Sequence, residues 1–160
     1  MPLFCTECLF SPPIEERDEN NHSPEFILEK ISPELYSTFI FQGTGKYEID
    51  VAINHDFSIT NAFMDIDGDL LKICWYIDYG LEGIKQAERC NYSDFEGITK
   101  YTVKPCKVGD TVGMHLLEVI ITDGDVLDDI DLGREITGKF QIGHWWLELN
   151  GLTCVKPIEE

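Results

Sequence analysis

The segment from Phe57 to Tyr79 constrains the fold more than any other stretch of the chain. Its residues alternate between apolar and polar on both sides of an Asp67-Gly68 pair, and alternation at period two is typical of a half-buried β-strand. An Asp-Gly pair favours a two-residue hairpin turn, because both residues adopt positive φ at little steric cost. The sequence therefore predicts a β-hairpin. Its core face carries Leu71, Ile73, Trp75 and Ile77 on one strand and, opposite them, Ser58, Thr60, Ala62, Met64 and Ile66 on the other.

The other face of this predicted hairpin mixes aromatic and polar side chains. It carries Phe57, Ile59 and Tyr76 beside Asn61, Lys72 and Asp78. Such a face either lies under another element or is a binding surface.

The rest of the chain repeats the same pattern of short alternating segments and turns. Further strands are predicted over residues 46–54, 98–104, 112–122, 134–142 and 145–149, with 112–122 as the central strand because its apolar residues point to both faces. Turns are predicted at 43–45, at Asp123-Gly124 and, as a hairpin, at Asn150-Gly151, and a bulge or corner at Gly143. The predicted fold class is mainly β: an antiparallel β-sandwich or an up-and-down β-barrel built of hairpins, with at most one or two short helices.

The chain of 160 residues has the length of one domain with a sizeable core. Residues 1–22 are predicted to be a loosely ordered N-terminal lead-in, because Pro12, Pro13 and a polar run favour loop or extended chain. Residues 23–160 are predicted to form a single β-rich domain. Its start, residues 23–31, fits either a short helix begun by Ser23-Pro24 or an edge strand.

The charge balance is strongly acidic. Thirty acidic residues against twelve basic ones give a formal net charge of −18 and a pI near 4.4. This field repels nucleic-acid backbones and anionic membrane surfaces, so no nucleic-acid or membrane partner is expected. No apolar run approaches the roughly 18 residues of a membrane span. A basic protein partner, a metal cation and plain solubility remain as explanations.

Two clusters of aspartates coincide with predicted turns. Asp65, Asp67 and Asp69 resemble the start of a calcium loop, but Leu70 and Tyr76 stand where an EF-hand loop requires glycine and glutamate. Turn chemistry is therefore the first explanation of this cluster. The second cluster consists of Asp123, Asp125, Asp128, Asp129 and Asp131. If both turns lie at one end of the domain, they form a negative rim that could hold calcium or a basic partner.

Aromatic residues supply candidate anchors for such a partner. Trp145 and Trp146 are adjacent on a predicted strand, so they point to opposite faces and one of them can be exposed. An exposed aromatic beside acidic loops suits a protein interface. The predicted partner-binding residues are Asp65, Asp67, Asp69, Asp123, Asp125, Asp128, Asp129, Asp131, Tyr76 and Trp146.

Cysteines and histidines give weaker signals. Cys5 and Cys8 have zinc-ligand spacing, but the chain contains no second close cysteine pair. With no secretory signal at the start, reduced thiols and a cytoplasmic location are expected, although six cysteines leave disulfides open. His115 and His144 each suit a buried, hydrogen-bonded residue or a general base. No metal or cofactor is predicted.

No nucleophile elbow, phosphate-binding glycine loop or His-Glu-x-x-His motif occurs, so no catalytic residues are predicted. The leading hypothesis is a non-enzymatic acidic binding protein that masks or inhibits a basic protein partner. The analogy, of charge and size, is to immunity proteins that neutralise toxins. One alternative is a small-ligand or carbohydrate-binding β-barrel or jelly roll with a pocket lined by Trp75, Tyr76 or Trp146. Another is a calcium-dependent binding module.

Overall fold

The computed structural model describes residues 21–48, 54–80, 86–105, 113–129 and 133–155. These residues form β-strands and the short 3-10 turn Leu28–Lys30. The predicted mainly β, antiparallel fold class is confirmed. The strands are β1 (Glu25–Phe26), β2 (Thr38–Glu48), β3 (His55–Ser58), β4 (Phe63–Met64), β5 (Lys72–Ile77), β6 (Arg89–Tyr92), β7 (Lys100–Val103), β8 (Gly113–Thr122), β9 (Val126–Asp129), β10 (Gly133–Ile136) and β11 (Phe140–Val155).

Five strands form the central sheet in the order β2, β11, β8, β5, β6. Neighbours run antiparallel except β2 and β11, which run parallel. The third strand of the five is β8, as expected for segment 112–122, of which residue 112 lies outside the described residues. Of segment 46–54, residues 49–53 also lie outside them, and residues 46–48 belong to β2.

The main core lies on one face of this sheet. In the register, odd-numbered residues of the sheet strands β2, β11, β8 and β5 stand beside one another, as Trp75, Val119 and Gly143 do. Side chains alternate between the two faces of a strand, so all these odd positions share one face. The core side chains that the sheet supplies are Phe41, Ile73, Trp75, Ile77, Leu117, Val119, Ile121, Trp145, Leu147 and Leu149.

Smaller β-ribbons cover the sheet. The main core is completed by residues on and around the β3–β7 ribbon, including Phe57, Ile59, Ile98 and Val103, all fully buried. On the opposite face, the β9–β10 ribbon supplies Val126 and Ile136 to a second, smaller cluster with Cys74, Tyr76, Ile120 and Ile142. Both faces of the sheet are thus covered, one by the main core and the other by the second cluster. The second cluster covers only part of its face.

The predicted hairpin over residues 57–79 is wrong in its strand pairing. Although Gly68 does have positive φ, +78°, β3 pairs with β7, β4 pairs with β1, and β5 pairs with β6 and β8. The turn residues determine the backbone only locally, whereas the alternating pattern on either side fits any strand partner. The part of the predicted core face on β5, which includes Ile73 and Trp75, is nonetheless buried, whereas Met64 and Ile66 on the same predicted face are exposed.

Of the other predicted turns, the one at Asp123-Gly124 is present, since the chain bends there and enters β9. β9, however, pairs with β10 rather than β8. Asn150-Gly151 makes no hairpin, because β11 continues through it along β2 with a register shift between Asn150 and Leu152. β2 likewise runs through residues 43–45.

The bulge or corner predicted at Gly143 is absent, because β11 runs through Gly143 in unbroken register with β8. Ile142 belongs to the second cluster and Trp145 to the main core, because both faces of the strand are covered at this point. Glycine is required at position 143 because the side chains of Leu35 and Phe26 lie directly against its backbone. A Cβ at Gly143 would lie 2.8 Å from Leu35 Cδ1 and 3.2 Å from Phe26 Cε2.

A disulfide joins Cys74 of β5 to Cys90 of β6, which are register partners. The expectation of reduced thiols is wrong for this pair. Cys5, Cys8 and Cys106 lie outside the described residues. The start of the predicted domain combines both forms expected for it, the short strand β1 and the 3-10 turn, while residues 1–20 of the predicted lead-in lie outside the described residues.

Candidate functional site

The first acidic loop is organised by hydrogen bonds to its own backbone and to His22. Asp67 N–H donates to Asp65 Oδ1 at 2.8 Å, the usual aspartate turn. His22 N–H donates to Asp67 Oδ2 at 2.6 Å, and His22 Nδ1 lies 3.0 Å from Asp67 Oδ1. The hydrogen bond from the His22 backbone is the largest of the causes that hold the pKa of Asp67 below its usual 3.8.

The same loop brings three carboxylates together. One oxygen from each of Asp65, Asp67 and Asp69 lies within 4.8 Å of the others. Asp65 Oδ2 is buried and has no hydrogen-bond partner among the described residues. Hard cations such as calcium take oxygen ligands of this kind, so Asp65, Asp67 and Asp69 are the residues that could hold one.

In the second acidic loop, the described aspartates contact the protein itself. Asp123 Oδ1 accepts from Lys139 N–H at 2.7 Å, and Asp125 Oδ1 pairs with Lys72 Nζ at 2.8 Å. Asp128 accepts from Tyr76 Oη at 2.9 Å and from Ala87 N–H at 2.9 Å. The Asp129 side chain and Asp131 lie outside what the structure describes.

Both acidic loops leave the same end of the sheet. Lys72, at the start of β5, stands opposite Thr122, at the end of β8. Asp69 precedes the first of these positions by three residues, and Asp123 directly follows the second. The predicted negative rim is therefore geometrically available, although its aspartates also have structural partners.

Tyr76 does not belong to an exposed surface. Its side chain is fully buried in the second cluster, with the Arg134 guanidinium 4.6 Å from its ring centroid. Burial, and then the hydrogen bond to Asp128, raises the pKa of its phenol well above the usual range. Phe57 and Ile59 are also fully buried, so the aromatic and apolar residues of the mixed face are interior and form no binding surface, although Asn61 of that face is exposed.

Trp146 is exposed, as the interpretation of the tryptophan pair allows. Its side chain is 42% exposed, whereas Trp145 is fully buried. Trp146 lies on the even-numbered face of the sheet, where its register partners are Thr38 on β2 and Leu116 on β8. The β9–β10 ribbon does not cover this part of the face.

Four further side chains share this uncovered surface, which we name the aromatic face. Ile40 and Met114 are about half exposed, 46% and 52%, and both stand beside Glu148 in the register. Tyr36 is 51% exposed. Its ring packs edge-on against His144 at 4.9 Å, and His144 lies 6.3 Å from the Trp146 ring. The aromatic face consists of Tyr36, Ile40, Met114, His144 and Trp146.

The backbone holds Tyr36 against the sheet. Tyr36 N–H donates to His144 O at 2.8 Å, and its phenol donates to Ile142 O at 3.3 Å. Its φ is +63°, a conformation that non-glycine residues seldom adopt. The predicted partner-binding residues did not include Tyr36 for this reason. His144 could have been found from the sequence, because it lies two residues before Trp146 on the same strand and so shares its face. Ile40 and Met114 could not, because their alignment with Trp146 depends on the strand register.

His115 is buried and hydrogen-bonded, one of the two roles expected for it. Its Nδ1 lies 2.6 Å from Asp78 Oδ2, and the other Asp78 oxygen accepts from Leu116 N–H at 2.8 Å. Both side chains are more than nine-tenths buried. This arrangement ties the end of β5 to β8.

Comparison with protein-family models, with curated protein sequences and with solved structures finds no match. Within the described ranges, the chain contains no helix with the length and apolar character needed to cross a bilayer.

Proposed function

We propose that the protein is a non-enzymatic acidic binding protein that masks or inhibits a basic protein partner, in the manner of toxin-neutralising immunity proteins. The observation that carries this proposal is the aromatic face, in which Trp146 and Tyr36 are exposed on a sheet whose opposite face is closed by the main core. Residues that contribute most to binding energy are enriched in tryptophan and tyrosine.

The aromatic face has the properties of an interface centre. Trp146 and His144 belong to β11, which is paired on both sides, so their positions are held before binding. A preordered contact surface loses less conformational entropy on association. Around these anchors, Ile40 and Met114 supply apolar area that a partner would remove from water.

The charge of the chain favours a basic partner. With a net charge of −18, the chain attracts a positively charged surface over long range and raises the association rate. The acidic loops contribute to this field, and their exposed members Asp67, Asp69 and Asp125 lie at one end of the sheet. Asp128 instead holds Tyr76 and Ala87, so we assign it a structural role rather than a contact with the partner.

The cytoplasmic location stays a prediction. The Cys74–Cys90 disulfide favours an oxidising compartment, because cytoplasmic thiols are kept reduced. A basic toxin or enzyme outside the cytoplasm would be masked by the same surface.

The test is capture of a partner from native lysate on wild-type protein and on two variants. Trp146→Ala removes the proposed anchor, and Phe95→Ala removes an aromatic side chain of similar exposure, 51%, outside the aromatic face. We expect wild type and Phe95→Ala to retain the same basic protein at low salt, and Trp146→Ala to lose it. Retention should fall as salt screens the charges.

The proposal fails if no basic protein is retained, or if all three proteins retain it equally. The captured protein, once identified, is then titrated in purified form against the same variants.

Calcium-dependent binding is the second candidate. It is favoured by the buried Asp65 Oδ2, which has no hydrogen-bond partner among the described residues and belongs to the carboxylate cluster with Asp67 and Asp69. Millimolar calcium would raise the melting temperature of wild type but not of Asp65→Asn if the loop binds it. No stabilisation of wild type removes this candidate. For the carbohydrate-binding alternative, Trp75 and Tyr76 cannot line a pocket because both are fully buried.

A further inference from the structure

A cleft that is unusual for so acidic a chain opens beside strands β6 and β7. Its volume is about 910 Å³, at the upper end of the range for small-molecule sites. Arg89, Lys100 and Lys104 line it, so three of the twelve basic residues of the chain meet in one place. We name it the cationic cleft.

These cations are weakly neutralised by the protein, although acidic residues outnumber basic ones. The Arg89 guanidinium reaches one acceptor among the described residues, Glu96 O, at 3.4 Å. Lys100 pairs with Asp56 at 3.4 Å, with both side chains about half exposed. Lys104 has no ion-pair partner within the described part of the chain.

Two carboxylates also line the cleft, but both have other contacts. Asp78 is engaged by His115 and by Leu116 N–H. Glu88 lies beside the Tyr101 phenol, and its negative charge, after burial, raises the pKa of that phenol to about 12. Tyr101 keeps its proton at neutral pH and shares it with Glu88 in a side-chain hydrogen bond, so its ring, rather than its hydroxyl, is the part free to contact a ligand. Arg89 and Lys104 are thus the two cations of the cleft that form no ion pair among the described residues, whereas Lys100 is paired with Asp56.

The remaining lining groups are hydroxyls and one aromatic ring. Thr60 Oγ1 and Thr99 Oγ1 lie 2.9 Å apart, and both open onto the cleft. The Tyr101 ring is fixed by stacking on Trp75, with ring centroids 5.6 Å apart. Hydroxyl pairs exchange hydrogen bonds with polyols, and an immobile ring offers an apolar surface to the C–H groups of a sugar.

We propose that the cationic cleft binds a small organic anion that carries hydroxyl groups, of the sugar-phosphate or sugar-acid class. Arg89 and Lys104 bind the anionic group, because charge-assisted hydrogen bonds to phosphate or carboxylate are the strong ones. Thr60, Thr99 and Tyr101 bind the hydroxyl-bearing part. This site is separate from the aromatic face and does not depend on the proposed protein partner.

The experiment follows backbone amide signals by NMR while the full chain is titrated with four probes. Ribose 5-phosphate and glucuronate test the phosphate and carboxylate arms, inorganic phosphate tests the anion alone, and ribose is the neutral control. We expect one of the two organic anions to shift the amides of Thr99 to Thr102 and to bind more tightly than inorganic phosphate, while ribose gives no shift.

Two variants and one matched control locate the site. Arg89→Gln and Lys104→Gln should each weaken binding about tenfold or more, and Lys30→Gln, at an exposed lysine outside the cleft, should bind like wild type. Unchanged amide spectra elsewhere show that each variant is folded. The inference is overturned if no anion shifts the cleft signals, if ribose shifts them equally, or if Lys30→Gln weakens binding as much as Arg89→Gln does. Loss of the basic partner from Trp146→Ala would not affect any of these results.

Discussion

The carboxylate of Asp78 links two strands of the sheet through the imidazole of His115. Asp78 Oδ2 lies 2.6 Å from His115 Nδ1, and Asp78 Oδ1 accepts from Leu116 N–H at 2.8 Å. The Asp78 backbone N–H in turn donates to Leu116 O at 2.8 Å. Asp78 also has a φ of +52°, which aspartate and asparagine tolerate better than most residues. One residue thus supplies both the turn after β5 and its attachment to β8.

Replacing Asp78 should therefore be costly. Asp78→Ala removes the acceptor of the buried His115 imidazole and of the part-buried Leu116 N–H, and we expect the free energy of unfolding to fall by about 3 kcal/mol. Asp78→Asn keeps the tolerance of positive φ and one acceptor, so its loss should be smaller, about 1–2 kcal/mol. Urea unfolding measures both. Asp94→Ala, at an exposed aspartate, is the control and should stay within about 0.5 kcal/mol of wild type. Equal effects of Asp78→Ala and Asp94→Ala would contradict this account.

The two adjacent tryptophans should separate stability from binding. Trp145 is fully buried and donates from Nε1 to Pro33 O at 3.0 Å, whereas Trp146 is 42% exposed. Trp145→Ala should lower the free energy of unfolding by about 3–5 kcal/mol. Trp146→Ala should change it by less than about 1 kcal/mol while abolishing capture of the basic partner. Thermal and urea unfolding test the first pair of expectations. A large loss of stability in Trp146→Ala would place this residue in the core instead.

The buried residues of β5 were predictable from the sequence, whereas its strand partners were not. Alternation is a local property, so Ile73, Trp75 and Ile77 were correctly placed in the core. Pairing depends on residues far along the chain, and the same alternation in 57–66 is satisfied by β7 and β1 as well as by a hairpin. Turn residues such as Asn150-Gly151 permit a hairpin without requiring one.

In the candidate site, too, local features were predictable from the sequence and contacts with distant parts of the chain were not. The pair Trp145-Trp146 predicted one buried and one exposed ring, because neighbours on a strand point to opposite faces. Tyr76 was misplaced because the β9–β10 ribbon, a distant part of the chain, covers it. Tyr36 carries no periodic signal, since its position beside His144 depends on a backbone with positive φ.

Gly124 should not tolerate a side chain. A Cβ there would overlap the Thr137 carbonyl oxygen and lie 2.9 Å from Gly138 N, and backbone atoms cannot move aside as a side chain can. We expect Gly124→Ala to lower the free energy of unfolding by about 1–3 kcal/mol. Gly143→Ala is the comparison, because its Cβ would meet side-chain atoms of Leu35 and Phe26, and its loss should be smaller. Thermal unfolding of both variants ranks them, and the reverse order would contradict the prediction.

The Cys74–Cys90 disulfide should be detectable and stabilising. It closes a loop with a sequence separation of 16 residues, for which the chain-entropy model gives about 3 kcal/mol. The protein is purified without reductant, denatured and treated with an alkylating reagent. Mass spectrometry of the peptides should then show Cys74 and Cys90 unalkylated. Reduction, or the variant Cys90→Ser, should lower the free energy of unfolding by a similar amount. If both thiols are alkylated without reductant, the pair is reduced in solution.

Acid should weaken the first acidic loop in a defined pH range. The backbone N–H of His22 is the largest cause that holds the folded-state pKa of Asp67 below 3.8. A lowered pKa stabilises the folded state at pH values above the unfolded-state pKa, and this stabilisation is lost as pH falls through the folded-state value. The loss therefore belongs to pH values below about 4.

Carboxyl NMR titration measures the Asp67 midpoint directly, and it should lie below 3.8. His22→Ala removes the imidazole but keeps the backbone donor, so it should raise the Asp67 pKa only part of the way back to 3.8. His22→Pro also removes the backbone donor and should bring the midpoint close to 3.8. A wild-type midpoint at or above that value, or equal midpoints in the two variants, would show that the backbone hydrogen bond does not hold the Asp67 carboxylate in solution.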